Sequence, residues 1–124
     1  VATGTNIFST TLTAGVDLSA NQWCAVAASA AADRTAILPA AAGSAVLGVL
    51  TNPAAAGLSV TVQVAGIGKI LVGTTAVTHG DKISVDTAGR AVTATSGQYV
   101  LGTARESAAA GTLVSVLLLP AGKA

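Results

Sequence analysis

The sequence predicts an all-β fold, a small β-barrel or sandwich whose strands are joined by short Ala-Gly turns. Three observations carry that expectation. The segment "LSVTVQVAG" (58–66) alternates Leu58, Val60, Val62 and Val64 with Ser59, Thr61 and Gln63, the period of two of a strand with one buried face. "KISVDTAGRAVTA" (82–94) reads as a hairpin, with Asp86 opening the turn and Gly89 supplying a positive-φ position. Finally, "VLGVLTNPAAAG" (46–57) and "VLGTARESAAAG" (100–111) share Val-Leu-Gly and Ala-Ala-Ala-Gly at one spacing, and Val60 and Val62 then fall opposite Val114 and Val116.

Each copy of this repeat reads as a strand, a tight connection closed by Gly57 or Gly111, and a second strand. Two copies do not make a solenoid, which needs three or more repeats. A β-hairpin unit used twice around a barrel is the expected arrangement. "QYVLGTA" and "TLVSVLLL" supply two further strands. Leu117, Leu118 and Leu119 run together at the end of the last one, so it is expected to be covered on both faces, by its own core and by a partner. The Ala-rich pieces after Pro39 and Pro53 favour helix but are cut by glycine, leaving single helical turns or compact loops.

Residues 1–11 are polar, Thr-rich and without a clear period, and are expected to form an extended N-terminal arm ahead of a single β-rich domain at 12–124. Ile7 and Phe8 are its apolar anchor pair. Eleven extended residues reach about 36 Å, enough to cross onto a neighbour and add a strand to its sheet edge.

Composition narrows the function. Apolar residues make up 52% of the chain but aromatics only 2%, so hydrophobicity comes in Ala- and Val-sized units that each bury little area, at roughly 25 cal/mol per Å². Such a domain is expected to bury further surface against neighbours. Six basic and five acidic residues are scattered without a basic run, which argues against nucleic-acid binding, since that needs clustered Lys and Arg to displace counterions. No apolar run approaches the roughly 18–20 residues of a membrane helix, and the start lacks a secretory pattern, so no membrane contact and an intracellular product are expected.

Candidate chemistry is thin. His79 and Asp81 in "VTHGDKI" could suggest acid–base work, but a polar turn entering a strand explains them better. Asp81 and Asp86 bracket a four-residue strand, about 17 Å apart, too far for a carboxylate pair. There is no G-x-S-x-G elbow, and "GIGKI" (66–70) lacks the spacing of a phosphate loop. Cys24 is a lone cysteine, expected as a small buried hydrophobe, and no Cys/His cluster is available for a metal. No catalytic residue, cofactor or metal is expected.

Taken in order, "TLTAGVDLSANQWCAV", "AVLGVLTNPAAAG", "VTVQVAGIGKILVG", "VTHGDKISVDTAGRAVTA", "YVLGTARESAAAG" and "LVSVLLL" resemble the tailed-phage capsid decoration (cement) proteins over about residues 11–119. The resemblance implies a structural protein of the virion, made in the host cytoplasm, that binds the exterior of an icosahedral head and reinforces it against internal DNA pressure. It implies the major capsid protein as partner and a homo-oligomer, with a trimer at local threefold positions favoured over the dimeric and monomeric arrangements that also occur among cement proteins, and no catalytic residues to carry over. Ile7, Phe8, Leu117, Leu118 and Leu119 are the expected capsid or subunit contacts, and Gly57, Asp86, Gly89 and Gly111 the structural turns. The rival readings are another homomeric phage component, such as a tail-tube or fibre-base domain, and a small hydrolase or carrier domain.

Overall fold

The computed structural model describes residues 4–119 and 122, without the side chains of Asn6 and Ile7. Nine strands follow in order: β1 (Thr5–Ala14), β2 (Ala25–Ala28), β3 (Thr35–Ile37), β4 (Gly48–Asn52), β5 (Ser59–Leu71), β6 (Lys82–Val85), β7 (Ala91–Thr93), β8 (Gly102–Ala104) and β9 (Leu113–Leu118). The described residues contain no helix. The two Ala-rich pieces after proline are compact turns, the second of the two forms open to them.

The sheet order is β1-β3-β2-β4-β5-β9-β8-β6-β7, and β1 also pairs with β5. That extra pairing closes β1, β3, β2, β4 and β5 into a barrel, leaving the other four strands to continue from the far half of β5. They curl back as well: Val72, just past β5, makes a parallel bridge to Ala91 of β7.

The two halves are the same structure built twice. Leu50 faces Val62 across β4–β5 as Ala104 faces Val116 across β8–β9. Val26 faces Gly48 as Ile83 faces Gly102, and Ala28 faces Ala36 as Val85 faces Ala91. Leu12 faces Val60 across β1–β5 as Ile70 faces Val114 across β5–β9. The far half of β5 therefore does for the second unit what β1 does for the first. β5 is long because it belongs to both.

The cores follow the same correspondence. Ala14, Leu18, Val26, Ala36, Leu50, Val60 and Val62 fill the first barrel. Val72, Val77, Ile83, Ala91, Ala104, Val114 and Val116 take the matching places in the second cluster. Ala25 and Val49 lie on the other side of β2 and β4 and join that second cluster, so the outside of one barrel is sealed by the core of the other. Backbone bonds from Ala25 N–H to the Gly89 carbonyl (2.7 Å) and from Gly43 N–H to the Val85 carbonyl (2.8 Å) hold the units together.

The repeated turns are alike in detail. Leu58 N–H donates to the Ala55 carbonyl, and Thr112 N–H to the Ala109 carbonyl, both at 3.2 Å. Gly57 at φ 85° and Gly111 at φ 80° then point their N–H groups at the Ala14 and Val72 carbonyls. Open space surrounds both α-carbons, so the requirement for glycine there is conformational. Gly48 and Gly102 answer a different need. A Cβ at either would press into the carbonyl oxygen of the facing strand, Gln63 or Leu117.

One departure between the copies is informative. Trp23 sits at φ 67° and donates its N–H to the Leu50 carbonyl at 2.8 Å; Gly80 occupies the matching place at φ 90° and donates to Ala104 at 2.9 Å. A bulky residue in this region is a true outlier. The Lys69 ammonium lies 4.3 Å from the Trp23 ring centroid and gives the indole one compensating contact.

The expected boundary between an arm and a domain at residues 11 and 12 is corrected by the pairing. β1 runs straight through it, with Ser9 facing Gln63, Thr10 facing Val62 and Thr11 facing Thr61. Residues 5–11 are spent on closing the chain's own barrel.

Two sets of variants test this construction. Gly57→Val and Gly111→Val should each cost about 1–3 kcal/mol from backbone strain alone, and nearly equally. Gly48→Ala and Gly102→Ala should cost at least as much, because they force a strand aside. Trp23→Gly should be more stable than Trp23→Ala by about 1 kcal/mol, since both lose the ring and only glycine relieves the positive φ. Chemical denaturation of purified protein measures all of these.

Candidate functional site

The outward face where β1, β5 and β9 meet is the best candidate for a contact surface. Its geometry begins with a pair of register shifts. Along β1, Leu12 and Thr10 face Val60 and Val62, which point into the first barrel. The register then slips on both sides of Phe8, which pairs with Ala65. Bulges of this kind re-aim a side chain. Phe8 leaves the inward row and stands 59% exposed.

Gln63 holds the irregular backbone in place. It is buried, and its Nε2 reaches the carbonyl oxygens of Ala65 (3.1 Å), Ile67 (3.2 Å) and Thr5 (3.3 Å). Two N–H groups thus serve three acceptors of the bulged strands, in a region where ladder bonds are interrupted. Gly66, at φ 98°, takes the bend between the two halves of β5.

β9 completes the face. Leu117 pairs with Ile67 and Leu118 with Gly66, so Leu119 is next to come alongside Ala65, the residue opposite Phe8. Leu117 is 41% exposed and Leu119 is 64% exposed. Leu118 points the other way, is buried in the second core and lies against Gly68. Of the five expected contacts, the fold therefore brings Phe8, Leu117 and Leu119 to one face. Leu118 is corrected to a core residue by strand alternation. Ile7 lies in β1, with its side chain outside the described residues.

Asp86 and Gly89 lie in the turn between β6 and β7. Asp86 Oδ1 accepts from the N–H groups of Ala88 and Arg90, both at 2.9 Å, and its Oδ2 from Arg90 Nε at 3.1 Å. Gly89 N–H donates to the Asp86 carbonyl, and the glycine sits at φ 78° against Ala25. These bonds close the β6–β7 hairpin, and the Gly89 carbonyl accepts from Ala25 N–H of the first barrel.

The remaining polar candidates serve structure. Asp81 Oδ2 accepts from Thr78 N–H (2.9 Å) and Thr93 Oγ1 (3.1 Å), tying a turn to the end of β7. His79 N–H donates to Ser107 Oγ at 3.1 Å. Burial pushes the Cys24 thiol up from its ordinary pKa and keeps it in the unreactive protonated form. Among the described residues, no group of three or more His, Cys, Asp or Glu side chains is placed to hold a metal ion.

Sequence reasoning missed Gln63 and the half-buried neighbour Ile67, because both lie in a strand whose pattern is interrupted by glycine. Gln63 falls on the polar side of the alternation with Ser59 and Thr61, so its burial carried no signal in the sequence.

The described residues form an all-β class of structure, two tandem units with an apolar outward face. Comparison with known proteins narrows the class. The family model for phage cement proteins matches residues 1–119, and the chain belongs to that family. It is a phage structural protein. No curated protein matches it in sequence. Among solved structures it is similar to the N base of the head fibre gp8.5 of bacteriophage phi29, with a TM-score of 0.72 at 21% identity, covering 90% of this chain and 93% of that one. At that identity the likeness is one of fold.

The face and the core separate cleanly by mutation. Leu118→Glu should unfold the protein or cost more than about 3 kcal/mol, because it drives a carboxylate into the second core. Leu117→Glu, one residue away, should fold with a melting temperature close to that of the parent. Circular dichroism melts of the two variants check this.

Proposed function

We propose that this protein is a capsid decoration protein: it binds the exterior of an icosahedral phage head and stabilises the shell, without enzymatic activity. The observation that carries the reading is the face of Phe8, Leu117 and Leu119, built by two register shifts that turn an aromatic side chain out of a sheet otherwise packed with alanine and valine. A folded monomer gains nothing from exposing its single phenylalanine, whereas an interface gains a large apolar anchor.

The major capsid protein is the proposed partner, and a homo-oligomer, a trimer, is the proposed state. Repetition of shallow apolar contacts over a lattice turns modest single affinities into firm retention. The charge pattern agrees: scattered basic residues suit a protein that sits outside the shell, away from the packaged DNA. A head-fibre base is the second reading, favoured by the fold shared with the phi29 head-fibre N base. Both readings place the domain on the head, and they differ in whether it carries a fibre.

The test is co-sedimentation of purified protein with undecorated heads. The parent protein should pellet with heads, and the double variant Phe8→Ser/Leu119→Ser should lose retention about tenfold or more while melting like the parent. Full retention by a folded double variant would move the contact to another face.

A further inference from the structure

Two departures from the repeat meet at one place beside that face. Trp23, at φ 67°, stands where the second unit has Gly80, and Lys69 stands where the first unit has Thr11. The Lys69 ammonium lies 4.3 Å from the Trp23 ring centroid. The tandem copies supply an internal control: the other unit makes the same turn with glycine and fills the same strand position with threonine. The fold can be built there without either side chain, yet the indole is held on strained backbone. Strain of this kind gathers where a side chain has a use beyond packing.

The pair is continuous with the apolar face. The register between β5 and β9 is unbroken from Gly66 to Leu71, so Ile67 and Lys69 point to one side, as do Leu117 and Ser115 facing them. The exposed Leu117 therefore lies one pair along from Lys69. Trp23 and Lys69 are themselves half-buried.

Lys69 lacks an anion. All five acidic residues of the chain are among the described residues, and none forms an ion pair with it. Four are already engaged nearby in their own surroundings: Asp17 with Ser19, Asp81 with Thr78 and Thr93, Asp86 with Arg90, and Glu106 with Ser115. The fifth, Asp33, is exposed in the turn before β3. The ring takes one side of the ammonium, and N–H donors remain for an oxygen acceptor.

We propose that Trp23 and Lys69 form the charged end of the capsid-contact face and take a carboxylate side chain of the shell protein. This rests on the decoration reading and names what its partner must present: an acidic residue beside an apolar patch. An ammonium held over a ring is pre-organised, so less freedom is lost on pairing than for a loose lysine. Partial burial also shields the pair from salt. A second copy of this chain is the poorer occupant, because only its Asp33 is left to offer.

Co-sedimentation with undecorated heads tests this, using the full chain and variants checked for folding by circular dichroism. The parent should pellet with heads, Lys69→Gln should be retained about tenfold less well, and Lys69→Glu less again. Lys69→Arg should keep most of the retention, since the charge and the ring contact both survive. Trp23→Gly, which relieves the backbone, should fold and still lose retention. Asp33→Asn should be retained like the parent. A folded Lys69→Gln that is retained as well as the parent overturns the inference and leaves the decoration reading standing. A parent that does not pellet with heads overturns the reading itself. Equal losses in Asp33→Asn and Lys69→Gln assign the carboxylate to a second copy and overturn the shell as its source.

Discussion

Strand β5 is asked to serve two barrels at once, and the rest of the molecule follows from how it does so. Its near half closes the first barrel against β1 and β4, and its far half opens the second against β9. Even-numbered side chains point inward along its whole length: Val60 and Val62 into one core, Ile70 and then Val72 into the other. Changing partners in mid-strand leaves a stretch where ladder bonds cannot all be made. Gly66 bends there, the Gln63 amide picks up the stranded carbonyls, and Phe8 is displaced to the outside. The exposed apolar face is thus a consequence of the joint between the two units.

Small side chains make this arrangement workable. Cores of alanine and valine allow the barrels to be narrow, and glycines at 48 and 102 let facing strands approach to backbone contact. Each residue buries little, so the two units need one another. Ala25 and Val49, outside the first barrel, are buried only because the second covers them. The one Trp and the one Phe are both placed off the regular pattern, Trp23 on strained backbone and Phe8 on a bulge. Large rings in a protein of small side chains sit where the fold has to depart from itself.

Much of this was legible in the sequence. The all-β class, the β6–β7 hairpin with Asp86 and Gly89, and the repeated Ala-Gly turns all follow from local chemistry that the tertiary structure leaves intact. The duplication was visible only in its best-preserved quarter, the 46–57 and 100–111 segments. The rest diverged at the level of residues while keeping its pairing, as when Trp23-Cys24 stands where the second unit has Gly80-Asp81. β1 was hidden for a physical reason: the bulge at Phe8 breaks its period of two, and threonine fills much of the remainder. The far half of β5 was hidden by Gly66 and Gly68, which look like a strand's end but provide the bend and the room for Leu118. Of the proposed contact face, Phe8, Leu117 and Leu119 could be named from their hydrophobicity, whereas the inward turn of Leu118 required the register.

The central claim is that the joint on β5 presents Phe8, Leu117 and Leu119 to the shell. An electron cryomicroscopy map of heads decorated with this protein, at side-chain resolution, tests it most directly. The account predicts that these three side chains are buried against the major capsid protein or a neighbouring copy, with the Gly66 bend beneath them. A map in which this face looks into solvent while another surface of the barrels rests on the shell would contradict it.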